Sequence, residues 1–195
     1  MASAKRDRLI DTAIELFNRD GYRATGIDKI LAESGVAKMT LYNHFGSKDA
    51  LILAALERRD ARWREWFRHA LTRRAKSPRG RLLAVFDALE EWFAQADFQG
   101  CMFMRAASEY CACDDPIHAA SAEHQRRILA DLRDLAAAAG AQRPAKLARE
   151  LLLLVLGATV ATQVNGPVGA GKAAKNAAEV LIEAALAAPE VGDAA

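Results

Sequence analysis

The sequence predicts an all-α protein, and three observations support that prediction. Proline and glycine are scarce, with 5 and 12 among 195 residues. β-Branched runs are short, and apolar residues recur at helical spacing along nearly the whole chain. Hydrophobic residues make up 52% of the composition, which is enough for a sizeable core. We therefore expect about nine helices.

Caps and breakers place the first two helices. The first is predicted from about Lys5 to Asp20 and ends at Gly21. Thr25 and Asp28 match a capping box, in which Thr25 caps the first amides of the second helix and Asp28 reaches back.

The remaining helices follow from the same signals. The second helix is expected to end at the glycine turn 34–35, and the third to cover roughly residues 37–45. Ser47 can cap a fourth helix that continues to about Arg74. Beyond the breaker at 77–80, helices are predicted at about 79–96, 100–112, 116–139, 144–165 and 172–188.

The distribution of charge suggests that two parts of the chain have different partners. Residues 1–80 carry 17 basic and 10 acidic side chains, whereas residues 81–195 carry 10 basic and 15 acidic ones, although the net charge is only +2. A basic first part joined to an acidic remainder favours contact of the first part with a polyanion. Solvated charges that cluster by chance are an equal alternative.

The composition also indicates a cytoplasmic protein without a membrane span. No apolar run reaches the ~20 residues that a transmembrane helix needs, and the longest, Leu151–Val164, is predicted to be a buried helix. The amino terminus becomes charged at once, which argues against a secretory signal. Three cysteines, an odd number, favour free thiols over a disulfide framework.

The predicted second and third helices have the spacing of a helix-turn-helix, in which the second helix enters the DNA major groove. A small core would fix the angle between them, formed by Ile27, Ile30, Leu31, Val36, Leu41 and Phe45. The other side chains of the third helix then face outward, namely Lys38, Met39, Thr40, Tyr42, Asn43 and His44. Hydroxyl, amide and ring donors suit phosphates and base edges, so this face is predicted to contact DNA. Lys48 follows in the first turn of the fourth helix, where free backbone amides also favour an anion.

This stretch is similar to a known family. The matching positions are Gly21-Tyr22, Thr25, Ile27-Asp28-Lys29-Ile30, Ser34-Gly35-Val36, Thr40-Leu41-Tyr42, His44-Phe45 and Ser47-Lys48. Over residues 5 to about 55, the sequence resembles the TetR family of bacterial transcriptional regulators. Downstream, Gly100–Phe103, Ala106-Ala107 and Glu109 resemble the ligand-domain pattern of one subgroup. The resemblance implies an all-helical homodimer with amino-terminal DNA-binding heads and a carboxyl-terminal domain for dimerisation and small-molecule sensing.

The resemblance also implies roles for individual residues. Positions that commonly grip phosphates correspond to Thr25, Thr40, Tyr42, His44 and Lys48, whereas Lys38, Met39 and Asn43 address bases. Two positions depart from the family pattern. Ala37 stands where a capping Ser is common, and Met39 stands where Gly is common. Both departures affect which DNA sequence is bound.

A set of large side chains in the central helices could line an apolar effector pocket, although most of them could equally be plain core. The candidates are Trp63, Phe67, Phe86, Trp92, Phe93, Met102, Phe103, Arg105 and Tyr110. Arg105 and Glu109 are expected to satisfy each other at i,i+4 spacing, which leaves few charged partners for a ligand.

Two further clusters of side chains could form sites. Cys101, Cys111 and Cys113, with His118 and His124, could form a soft-metal or thiol site, but we expect structural cysteines and no metal or cofactor. The arginines of residues 58–74 are predicted to form a solvated helix face. No catalytic motif appears, so an enzyme is not expected.

Taken together, the sequence predicts a helix-turn-helix DNA-binding domain at 1–50 and a ligand-sensing and dimerisation domain at 51–195. We expect a cytoplasmic homodimeric repressor that binds an inverted-repeat operator in double-stranded DNA and is released by a small apolar ligand. The last two predicted helices would form the dimer interface, with Leu151–Leu156 as its apolar face. The alternative is a helical ligand- or metal-binding protein that does not bind an operator.

Overall fold

The computed structural model describes residues 2–167 and 169–187. Within these ranges the chain forms nine α-helices and no strand, which confirms the all-α prediction. The helices are α1 (Ala2–Asp20), α2 (Ile27–Ser34), α3 (Lys38–Phe45), α4 (Lys48–Arg74), α5 (Pro78–Phe93), α6 (Met102–Glu109), α7 (Pro116–Ala138), α8 (Pro144–Asn165) and α9 (Ala170–Ala187).

The predicted bounds hold best where proline or serine begins a helix. Pro116 and Pro144 open α7 and α8 as expected, and the Ser47 hydroxyl accepts a hydrogen bond from the Ala50 amide at 3.1 Å. By contrast, α6 is shorter than the predicted 100–112. Gly100 precedes it with a left-handed φ of 87°, and Tyr110 leaves helical geometry with a ψ of 75°. The predicted end of the last helix at 188 lies outside the described residues.

The predicted capping box before α2 is wrong. The cap residue is Gly26, which has no side chain to offer. Thr25 is instead fully buried, and its hydroxyl donates to the Gly21 carbonyl at 2.6 Å. Thr25 therefore closes the turn that follows α1 and does not cap α2.

The chain divides into two compact units. Unit 1 combines Met1–Arg64 with Cys101–Gln125, and unit 2 combines Glu65–Gly100 with Arg126–Ala195. This grouping differs from the predicted domain boundary at residue 50, which stays a prediction. In unit 1, α1, α2 and α3 surround a core in which Leu41 and Ile30 are fully buried. Ile27, Leu31 and Phe45 pack against that core and Val36 is buried in it, so the predicted helix-turn-helix core is confirmed.

Unit 2 is built around α8, which packs on α9 and α5. Leu151 and Val155 lie on the buried side of α8, so they belong to the core of the unit and not to an exposed apolar face as predicted. The large apolar side chains that are exposed on this pair of helices are Leu153 at 69%, Val160 at 42% and Val164 at 74% on α8, and Val180 at 68% on α9.

By length and composition, α8 is apolar enough to cross a membrane, with a mean hydropathy of 1.5. The prediction that this segment is a buried helix holds only in part, since 39% of the apolar window is buried. One such helix is weak evidence for a membrane, because apolar helices of folded domains have the same character. The exposed side is therefore an unpartnered apolar face of the isolated chain.

Candidate nucleic-acid interface

The turn between α2 and α3 sets the position of α3. Gly35 adopts a left-handed φ of 63°, and its amide donates to the Leu31 carbonyl at 3.0 Å. This geometry strains a residue with a side chain, so glycine suits the position. The Val36 amide then donates to the Ser34 hydroxyl at 3.3 Å. Ala37 caps α3 with no side-chain hydrogen bond, as predicted from the missing serine.

One face of α3 is anchored and the other is open. Leu41 is fully buried and fixes the helix to the core. On the opposite side, Met39 is 69% exposed and Tyr42 is 41% exposed. Lys38 and Asn43 are also exposed, whereas Thr40 and His44 are half-buried. The predicted outward face is therefore present, and it combines four polar side chains with one thioether and one phenol.

The charges around this face are available to an anion. Lys38 Nζ lies 3.8 Å from the Asp28 carboxylate, but both side chains are well exposed, so the pair is weak. Lys48 is half-buried at the start of α4, and burial lowers the pKa of its ammonium group from the usual value.

Arg6 extends the positive charge to the start of α1. Its guanidinium carbon lies 5.4 Å from the centre of the Phe45 ring, at the end of α3. This cation–π contact places a cation beside the carboxyl-terminal end of α3.

Comparisons with known proteins assign this architecture. The family model described as "Bacterial regulatory proteins, tetR family" matches residues 9–55. The solved structure of SCO4454, a TetR-family transcriptional regulator from Streptomyces coelicolor, is 30% identical with a TM-score of 0.87. That similarity covers 94% of this chain and 97% of SCO4454, so it extends far beyond the helix-turn-helix. The chain belongs to the TetR family. It is a helix-turn-helix transcriptional regulator and not an enzyme.

Curated relatives cover less of this TetR-family regulator. The transcriptional activator FasR of Mycolicibacterium smegmatis is 40% identical over 96 residues, which are 49% of this chain and 43% of FasR. The transcriptional repressor NemR of Escherichia coli is 26% identical over 126 residues, 64% of this chain and 63% of NemR. The chain thus spans about half the length of the curated relatives it matches, and these two relatives regulate with opposite sign.

Among the eight residues predicted to contact DNA, Thr25 alone is fully buried. It is 0% exposed, and its hydroxyl is engaged by the turn after α1. In this conformation the Thr25 side chain cannot reach a phosphate, and it is not among the proposed contacts. The other seven predicted residues, Lys38, Met39, Thr40, Tyr42, Asn43, His44 and Lys48, remain predictions.

The hydrogen bonds that join α6 to the end of α1 and to the turn that follows it were not predicted from the sequence. The Glu109 carboxylate accepts from the Tyr22 amide at 3.0 Å and from the Arg23 amide at 2.7 Å. Arg105 donates to the Asn18 carbonyl at 2.7 Å, and the Tyr22 hydroxyl donates to the Met102 carbonyl at 3.1 Å. The predicted pairing of Arg105 with Glu109 overlooked these contacts, since partners more than 80 residues away leave no local signal.

The predicted pocket residues fall into both units. Trp63, Met102, Phe103, Arg105 and Tyr110 belong to unit 1, whereas Phe67, Phe86, Trp92 and Phe93 belong to unit 2. Most of them pack closely. Trp92 and Phe93 each make an edge-to-face contact with Phe98, and Phe86 is fully buried. The nine residues as one pocket stay a prediction, and Phe67 alone among them lines the unit 2 cavity described below.

The cysteine and histidine residues are dispersed. The Cys111 thiol donates to the Ser108 carbonyl at 3.0 Å, and His118 Nδ1 contacts the Tyr110 carbonyl. His124 is buried, and its Nδ1 lies 2.6 Å from the Asp60 carboxylate. Within the described ranges, no group of three His, Cys, Asp or Glu side chains could hold a metal ion.

Several arginines of α4 pair with carboxylates. Arg58 and Arg62 both pair with Asp11 of α1, and Arg74 pairs with Glu91 of α5. Arg58 and Arg74 join helices through side chains that are 20% and 23% exposed, so the predicted solvated face is wrong for these two residues. That the run forms no second nucleic-acid surface stays a prediction.

Proposed function

We propose that this regulator is a cytoplasmic homodimeric repressor that binds an inverted-repeat operator and leaves it when a small ligand binds. The observation that carries the proposal is the open face of α3, which presents Lys38, Tyr42 and Asn43 from a helix anchored by buried Leu41. A helix fixed in this way can enter the major groove without reordering.

Two kinds of contact are assigned to this face. Tyr42, Thr40 and His44 would donate to phosphate oxygens, with Lys48 adding a charge-assisted contact at the start of α4. Lys38, Met39 and Asn43 would reach base edges. Met39 is 69% exposed, so its apolar chain can lie against a thymine methyl group.

The exposed apolar side of α8 and α9 supports dimerisation. Leu153, Val164 and Val180 are each more than two-thirds exposed in the isolated chain. An exposed apolar helix face marks an interaction site in soluble proteins. Two α3 helices related by a two-fold axis need half-sites about one helical turn, ~34 Å, or a multiple of it apart, arranged as an inverted repeat.

The curated relatives differ in the sign of regulation. FasR carries the name of an activator and NemR that of a repressor. Binding that blocks a promoter needs only the operator contact and the dimer, so repression is the simpler proposal.

The experiment is to search the DNA that flanks this regulator's own gene. Fluorescence anisotropy with duplexes that tile this region should find one segment bound far more tightly than the others. Footprinting of that segment should protect two inverted half-sites. A uniform, weak affinity for every duplex, with no footprint, would contradict the proposal.

Repression has its own test. In a reporter assay, the bound segment placed between a promoter and its gene should lower expression when the regulator is present. An increase in expression would keep the DNA-binding proposal and reverse the sign.

A further inference from the structure

Unit 2 contains a cavity of 490 Å³ between the carboxyl-terminal part of α4, the start of α5 and the carboxyl-terminal part of α7. The volume falls within the roughly 300–1,000 Å³ of small-molecule sites. Its walls combine apolar with charged side chains, so the class of ligand that it suits can be derived from its lining.

The apolar surface comes from α4 and α7. Phe67 and Leu71 of α4 are 6% and 5% exposed, and Leu132 of α7 is 1% exposed. Leu135 lies one turn further along α7 and is half-buried. A ligand with an apolar body would cover these four side chains and remove the remaining apolar area from water.

Two arginines give the cavity its positive charge. Arg81 of α5 is half-buried, and its Nε donates to the Ala75 carbonyl at 3.1 Å, which fixes the guanidinium and leaves both terminal nitrogens for another acceptor. Arg68 of α4 is exposed at the cavity. Neither guanidinium forms an ion pair with a carboxylate among the residues that the structure describes.

The acidic residues at the cavity are already engaged. The Asp134 carboxylate accepts from Arg133 Nη2 at 3.0 Å and from Arg133 Nε at 3.1 Å. Asp131 also takes part in an interaction. Among the residues that the structure describes, the charged groups at the cavity without a carboxylate or cationic partner are therefore the two arginines.

We propose that this cavity binds a small amphipathic anion, with an apolar body against Phe67, Leu71 and Leu132 and a carboxylate held by Arg81 and Arg68. Guanidinium and carboxylate groups match in geometry and form charge-assisted hydrogen bonds. The inference deepens the proposed effector control and rests on it for the regulatory consequence, whereas binding itself can be measured without DNA. It also replaces a purely apolar ligand with one that carries a negative head.

Titration calorimetry of the full chain with octanoate and with octylamine tests the site, because the two probes share an apolar chain and differ in the sign of the head. Octanoate should bind one site per chain, and octylamine should not bind. Arg68→Met and Arg81→Met should each weaken octanoate binding about tenfold or more, since a charge-assisted contact is lost. Lys76→Met removes a nearby exposed cation outside the cavity and should leave the affinity unchanged.

Arg68→Met is the decisive variant, because the Arg68 guanidinium forms no hydrogen bond or ion pair within the described part of the chain, so its loss should not disturb folding. Absence of binding at low millimolar octanoate, equal binding of octylamine, or unchanged affinity in Arg68→Met would each overturn the proposal. A final titration adds operator duplex. If octanoate binds but its affinity is the same with operator present, the site stands and its role as the effector site fails.

Discussion

Glu109 on α6 accepts a hydrogen bond from the backbone amide of Tyr22 at 3.0 Å, and these two residues are 87 positions apart in the chain. The same carboxylate accepts from the Arg23 amide, so it satisfies two donors in the segment that leads into α2. Tyr22 is fully buried, which makes this contact part of the frame that holds the helix-turn-helix. The DNA-binding head is thus stabilised by a residue far outside the segment that matches the family model.

Replacing Glu109 should destabilise the regulator. Glu109→Ala leaves the Tyr22 and Arg23 amides without their acceptor, and we expect the free energy of unfolding to fall by about 1–3 kcal/mol. Glu109→Gln keeps one acceptor oxygen, so its free energy of unfolding should lie between those of Glu109→Ala and the wild type. Urea denaturation measures both variants, with Glu15→Ala on the exposed side of α1 as the control. Equal stability of Glu109→Ala and the wild type would show that the contact contributes nothing.

The buried pair of Asp60 and His124 should be more sensitive still. Their side chains are 7% and 4% exposed, and the Phe103 ring stacks on the imidazole with centres 3.7 Å apart. Removing one partner of a buried pair costs about 3–5 kcal/mol, because the other is left without its counterpart.

We therefore expect Asp60→Ala to lower the free energy of unfolding by about 3 kcal/mol or more in urea. Glu57→Ala, at an exposed position of the same helix, should change it by less than about 0.5 kcal/mol. A loss in Asp60→Ala no larger than that of the control would contradict the assigned role of the pair.

Dimerisation is tested on the exposed side of α8. Leu153→Asp and Val164→Asp change side chains that are 69% and 74% exposed, so the folded monomer should tolerate them while an apolar interface should not. Size-exclusion chromatography with light scattering should give a dimer for the wild type and a monomer for each variant at micromolar concentration. Ala61→Asp, at an exposed position of α4, should remain a dimer. A monomeric wild type would refute the proposed assembly.

Local patterns were sufficient to predict the nine helices and the anchored core of the helix-turn-helix. Ser47, Gly35 and Leu41 each act through neighbours within a few residues, so their roles could be derived from spacing. The roles of residues whose partners lie far away in the chain could not be derived in this way. Thr25 has the right spacing for a cap, but the chain folds it inward against Gly21.

The candidate ligand site shows the same limit. Aromatic side chains in the central helices suggested a pocket, but their spacing in the sequence does not determine which of them pack against each other. Trp92 and Phe93 pack against Phe98, whereas the cavity forms where Arg68 and Arg81 approach α7. Which charges find partners depends on helix packing, and so the anionic character of the proposed ligand could not be derived from composition.

The salt dependence of operator binding tests the central claim most directly, namely that α3 and the start of α4 dock on the DNA backbone. Fluorescence anisotropy on one operator duplex, from low to moderate salt, gives the slope of log K against log salt for the wild type, Lys48→Gln and Lys76→Gln. Each phosphate contact made by a cation contributes about 0.9 to that slope, so a dimer that loses two Lys48 contacts should have a slope shallower by nearly 2. Lys76→Gln should keep the wild-type slope and affinity. If Lys48→Gln binds as tightly as the wild type with the same slope, Lys48 does not contact the phosphates and the docking proposed for this regulator is wrong.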